Sequence, residues 1–137
     1  MQRVWTGRWV LMSIATVAVL GTLLAACGGG SGGSAATGQS VAVTEKEWQI
    51  TIGGTTLHAG NGDAQVKAGS VTFNIKNDGT IQHAFEIQGQ GITQKTSNIN
   101  PGSTASLTVT LKAGKYQVWC PIPGHKQAGM WGSLTAT

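Results

Sequence analysis

Gly114-Lys115-Tyr116-Gln117-Val118-Trp119-Cys120 runs directly into Pro121-Ile122-Pro123-Gly124-His125-Lys126-Gln127-Ala128-Gly129-Met130-Trp131-Gly132. In the first half Tyr116, Val118 and Cys120 alternate with Lys115, Gln117 and Trp119, the two-residue period of a strand with one face turned inward. The second half has no period. Pro121, Pro123, Gly124 and Gly129 shape it as a tight loop before alternation resumes near the end of the chain. One strand therefore ends in a cysteine, a short loop carries a histidine and a methionine, and another strand follows.

Those side chains are metal donors. His83 joins them from upstream, on a segment where His83, Phe85 and Ile87 alternate with Ala84 and Glu86. Alone, each has an ordinary reading: a buried cysteine acts as a small hydrophobe, a methionine fills core gaps, and a histidine on an apolar face packs. Together, one thiolate, two imidazoles and a thioether form the soft set that suits copper in a trigonal His2Cys arrangement with a weak axial methionine. A structural zinc site would instead use four Cys and His ligands, with no call for Met130. Such a cage accepts both copper oxidation states with little movement, and prolines and glycines in the loop restrict it further.

Outward from the loop, residues 43–52, 70–76, 82–88, 105–111, 115–120 and 132–136 read as strands. Asn61-Gly62-Asp63, Asn77-Asp78-Gly79, Asn100-Pro101-Gly102 and Ala113-Gly114 mark turns between them. Residues 88–98 are the least patterned and suit a loop or a short helical turn. The spacing predicts an all-β, Greek-key sandwich of seven or eight antiparallel strands over residues 41–137. His83 and Cys120 then point inward at one end, with His125 and Met130 folded back over it.

The first forty residues read differently. Arg3 and Arg8 precede an apolar run from Trp9 to Ala26, the layout of a secretory signal over residues 1–26. Leu24-Ala25-Ala26-Cys27-Gly28 resembles a bacterial lipoprotein processing box, which makes Cys27 the expected lipid attachment site; an uncleaved membrane anchor is the alternative. Residues 27–40, rich in Gly and Ser, are expected to be a flexible tether with a reach of about 20 Å. The domain is thus expected on the extracytoplasmic face of the membrane. No disulfide is expected, because Cys27 and Cys120 each have a separate use.

Without Arg3 and Arg8, the nine basic residues fall to seven against five acidic ones. That balance is too weak and scattered for a nucleic-acid footprint. Three histidines are too few for an enzyme with a second copper centre, and a single cysteine in the loop excludes a binuclear site. No enzymatic activity is expected.

The segment from Gly114 to Gly132 resembles the type 1 (blue) copper proteins, the cupredoxins of the plastocyanin and azurin kind. The likeness extends over residues 41–137, and the Cys-His-Met spacing looks most like that of auracyanin, a membrane-associated member. The resemblance implies His83, Cys120 and His125 as equatorial ligands, Met130 as the axial one, and one copper per chain. It implies a single-electron shuttle whose partners are a cytochrome, a photosynthetic reaction centre or a terminal oxidase. A copper-binding or delivery protein is the alternative. Ala84 departs from plastocyanin-like sequences, which often have Asn after the first His, so any hydrogen bond to the Cys120 sulfur must come from backbone amides. The expected electron-transfer surface is His125 with Pro121, Ile122 and Pro123, rimmed by Lys126. Trp119 and Trp131 are candidates for shielding the metal or packing the sandwich. Trp48 and Tyr116 are assigned to the core, His58 to a surface loop, and the chain is expected to be a monomer.

Overall fold

The computed structural model describes residues 38–137. The expected signal at 1–26, the expected lipid attachment site Cys27 and nearly all of the expected tether lie outside the described residues. Ten strands follow: β1 Gln39–Lys46, β2 Gln49–Ile52, β3 Thr55–Leu57, β4 Asp63–Val66, β5 Gly69–Asn77, β6 Glu86–Gly89, β7 Ile92–Lys95, β8 Thr104–Leu111, β9 Gly114–Trp119 and β10 Trp131–Ala136. Because β1 begins at Gln39, the tether expected through residue 40 ends before it.

The strands form two five-stranded sheets, ordered β3-β2-β1-β5-β8 and β4-β10-β9-β6-β7. The all-β sandwich is as expected; its direction is not wholly so. β1 runs parallel to β5, and β4 parallel to β10, whereas the sequence reading was antiparallel throughout. A two-residue period fixes which face a residue takes, not which way its neighbour runs. The parallel pairs require long crossovers, here supplied by the intervening strands of both sheets.

Other corrections are local. The expected strand at 43–52 is two strands, because the chain turns at Glu47 and Trp48 and pairs Lys46 with Gln49. β3, β4 and β7 were not expected. They are three or four residues long, too short to display a period. The stretch at 88–98 holds a hairpin rather than a helical turn: Gly89 pairs with Ile92 across Gln90 and Gly91. Both loop residues have positive φ, 49° and 84°, as a two-residue hairpin loop of the right twist requires. Of the segment 82–88, only the end from Glu86 belongs to a strand. His83 sits instead in an isolated bridge with Ile99.

The core lies between the sheets. Val41 and Val43 of β1, Val71, Phe73 and Ile75 of β5, and Val109 and Leu111 of β8 face Ile87 of β6, Tyr116 and Val118 of β9, and Leu134 of β10, all buried. The alternation along β5 and β9 in the sequence is the pattern of this burial. Tyr116 is in the core as expected, and its hydroxyl donates to the Lys112 carbonyl at 2.9 Å. Phe73 meets Phe85 from the segment behind His83, with ring centroids 5.3 Å apart. That contact ties the remote histidine's segment to the centre of the sandwich.

Candidate metal centre

Cys120 follows directly after β9, and its amide donates to the Met130 carbonyl at 3.0 Å. The loop between them is closed by its own backbone: His125 N–H donates to Ile122 O, and Met130 N–H to His125 O, each at 3.0 Å. Gly129 adopts φ 112°, and a Cβ there would lie 2.5 Å from the His58 ring. Only glycine fits that position. His58 is exposed, as expected, but its Nδ1 also engages the Trp48 carbonyl at 2.9 Å. It packs the turn after β1 onto the ligand loop.

His83 is positioned by different means. It exchanges backbone bonds with Ile99, N–H to O at 3.1 Å and the reverse at 2.7 Å. Asn77, fully buried at the end of β5, organises the intervening turn. Its side-chain amide donates to Ile81 O and Ile99 O, and its oxygen accepts from Gly79 N–H, all at 2.8 Å. Every polar atom of this buried side chain is paired, the condition under which such a group is tolerated.

These two constructions bring three donor atoms together. Nδ1 of His83 lies 3.2 Å from Nδ1 of His125, which lies 3.3 Å from the Cys120 sulfur. All three residues offer donors within 4.8 Å of one another, and all three are buried. First-row metal bonds of about 2.0–2.3 Å put neighbouring donors roughly 3.3–3.8 Å apart, so the triangle has the right size for one ion. Met130, also fully buried, arrives on the same loop. Among the described residues no other group of His, Cys, Asp and Glu converges in this way.

The protonation states fit. Burial lowers the pKa of both histidines, with the neighbouring imidazole adding to the effect on His83 and Glu47 opposing it in both, which favours the neutral rings that bind metal. Burial pushes the Cys120 thiol up to about 11, against the opposing pull of the Ile122 and Ala84 amides. A metal cation at the site supplies the charge that a thiolate needs there. The Ala84 amide donates to the sulfur at 3.3 Å, the backbone bond expected where the side chain offers none.

The aromatic surroundings differ from expectation. Trp48, assigned to the core, is 40 % exposed and lies edge-on to the His125 ring, with centroids 5.2 Å apart and planes at 79°. It sits in the turn between β1 and β2, where hydrophobicity is a poor guide to burial. Trp119 and Trp131 are cross-strand partners. Trp119 lies under the Lys126 ammonium, 4.2 Å from the ring centroid, and Trp131 covers Gly60. Both therefore have packing roles outside the ligand set.

Three residues near the centre escaped the sequence reading. Besides Asn77, these are Glu45 and Glu47. Glu45 is fully buried on the inward face of β1, neither oxygen has a hydrogen-bond partner, and burial pushes its carboxyl up to about 8. Its parity with Val41 and Val43 was a readable signal. Glu47 in the turn after β1 accepts from the Thr80 and Ile81 amides at 2.6 and 3.1 Å. No local pattern announces that contact.

A model of the cupredoxin-like domain matches residues 15–134. The chain belongs to the cupredoxin family. With that membership, His83, Cys120, His125 and Met130 form a type 1 copper site. Solved structures of similar fold include dithionite-reduced auracyanin from the photosynthetic bacterium Roseiflexus castenholzii, 19 % identical, with a TM-score of 0.59 over 72 % of this chain and 97 % of that one. Auracyanin B is 21 % identical with a TM-score of 0.58, over 72 % and 88 %. Rusticyanin from Thiobacillus ferrooxidans is 20 % identical with a TM-score of 0.57, over 74 % and 79 %. None of the curated proteins matches this cupredoxin in sequence.

Proposed function

We propose that this cupredoxin is a single-electron carrier, tethered through Cys27 to the extracytoplasmic face of a membrane. The observation that supports it most is the convergence of three buried donors from two independently braced segments. His83, Cys120 and His125 would hold the copper equatorially and Met130 axially, and the bound metal supplies a reversible one-electron couple. The chain's part is to keep the donors still. Every ligand segment is tied by backbone bonds, so a change of valence meets a cage that does not rearrange, and reorganisation stays small.

The exit for the electron is His125. It is buried but for 8 % of its surface, its neighbours Pro123 and Gly124 are exposed, and Trp48 stands against its ring. Trp48 and Ile81 are the exposed large hydrophobic residues among those described, and both flank ligands of this end. Residues 121–123, with the polar residues 95–98 opposite, line a groove of about 440 Å³. Pro121 and Ile122 thus form one wall, and Lys126 is held aside by Gln117 at 2.9 Å. An apolar surface over a shielded metal suits brief docking with a redox partner, such as a cytochrome, a photosynthetic reaction centre or a terminal oxidase.

Voltammetry with a competing chelator separates this reading from copper delivery. A carrier gives a reversible one-electron wave and keeps its copper through many cycles. Loss of copper to a weak chelator on reduction would favour the delivery protein. Labelling of the full chain and of a Cys27→Ala variant with a tagged fatty acid in a bacterial host tests the tether: label on the full chain and none on the variant is expected, and an unlabelled full chain, or equal label on both, would refute lipid attachment at Cys27.

A further inference from the structure

We infer that Glu47 is a positioning residue for the copper ligand His83, holding its imidazole from the side away from the metal and favouring the cupric state. The inference rests on the reading of His83 as a ligand. Its Nδ1 faces His125 and the sulfur, so the ring proton belongs on Nε2. Nε2 is fully buried and has no hydrogen-bond partner. Oε1 of Glu47 lies 3.5 Å away.

That oxygen is not there by accident of a flexible side chain. It accepts from Thr80 N–H at 2.6 Å, Ile81 N–H at 3.1 Å and the Thr80 hydroxyl at 3.3 Å, all on the turn leading into His83. Gly79 closes the pair from above: a Cβ there would overlap Glu47 Oε1 and come within 2.7 Å of His83 Nε2. The carboxylate is only one-fifth exposed. A charge at that place makes the imidazole a stronger donor and offsets the extra positive charge of cupric ion. Carboxylate-to-histidine-to-metal arrangements of this kind fix ring orientation and change metal affinity by about 10–100-fold when removed.

The test is the reduction potential of the copper-loaded Glu47→Gln variant, which keeps the acceptor oxygen for the turn and loses the charge. Asp78→Asn, an exposed carboxylate of the same turn already paired with Lys76 at 2.7 Å, is the control. The expected result is about a tenfold loss of cupric relative to cuprous affinity, an upward shift of ~59 mV, with a smaller shift for Asp78→Asn. Electron spin echo modulation from the remote nitrogen of His83 should change in Glu47→Gln alone. Should that variant fail to fold, Glu47→Asp, which keeps the charge but draws it back from His83 by one methylene, is expected to raise the potential by less. An unchanged potential, or equal shifts in Glu47→Gln and the control, would overturn the inference. If wild type lacks two coordinated imidazoles in the same spectrum, it is the ligand assignment of His83 that fails instead.

Discussion

The two halves of the metal centre are built on opposite plans. The half from Cys120 to Met130 is one short loop, whose ligands are spaced by proline and glycine and whose backbone bonds close on itself. The half around His83 owes its shape to residues distant in sequence: Asn77 at the end of β5, Ile99 beyond β7, and Glu47 in the first turn. A local plan writes its geometry into spacing. A distributed plan writes it into contacts that appear only when both sheets are assembled.

The comparison can be broken most severely at Cys120. Replacing it with Ser removes the only thiolate of the set, and the intense charge-transfer absorption of the copper-loaded protein should vanish altogether. Colour that survived would remove Cys120 from the site and, with it, the local half.

Asn77 tests the distributed half. Asn77→Ala removes three hydrogen bonds of 2.8 Å, to the Ile81 and Ile99 carbonyls and the Gly79 amide, which costs about 3 kcal/mol at roughly 1 kcal/mol per bond. Urea unfolding of the metal-free protein should register that loss. Gln127→Ala, at an exposed position of the ligand loop, should change stability by less than about 0.5 kcal/mol. Similar losses in the two variants would mean that Asn77 does not organise the His83 side.

Glu45 offers a finer test through pH. Its carboxyl is raised from 4.5 to about 8 by burial, so the folded state holds a proton that the unfolded chain has released. The stability from this group is complete below about pH 4.5 and is lost as pH rises through 8. The lowered pKa values of His83 and His125 act in the opposite sense, but only below their ordinary 6.5. Between pH 6.5 and 8 the metal-free protein should therefore lose stability by at most ~1.4 kcal/mol per pH unit, and Glu45→Gln should flatten that slope. A slope that persists in the variant would assign the pH dependence to another group.

This contrast also explains what the sequence could reveal. Seven of the ten strands fall on the six segments where alternation placed them, because Val71, Phe73 and Ile75, or Tyr116 and Val118, bury every second residue. β7 escaped since its residues are mostly exposed and carry no apolar alternation, and the parallel pairs escaped since period does not encode direction. The four ligands were legible from residue type and spacing. Glu47 and Asn77 were not: a carboxylate before an aromatic residue, or an Asn before Asp-Gly, looks like ordinary turn chemistry. Trp48 was misplaced for a related reason, since apolar character suggests burial while the turn that carries it faces solvent.

The electron paramagnetic resonance spectrum of the oxidised, copper-reconstituted domain bears most directly on the claim that both plans meet at one ion. A type 1 site, with a covalent thiolate and two imidazoles, gives a narrow copper hyperfine splitting. The wide splitting of tetragonal cupric ion would contradict it.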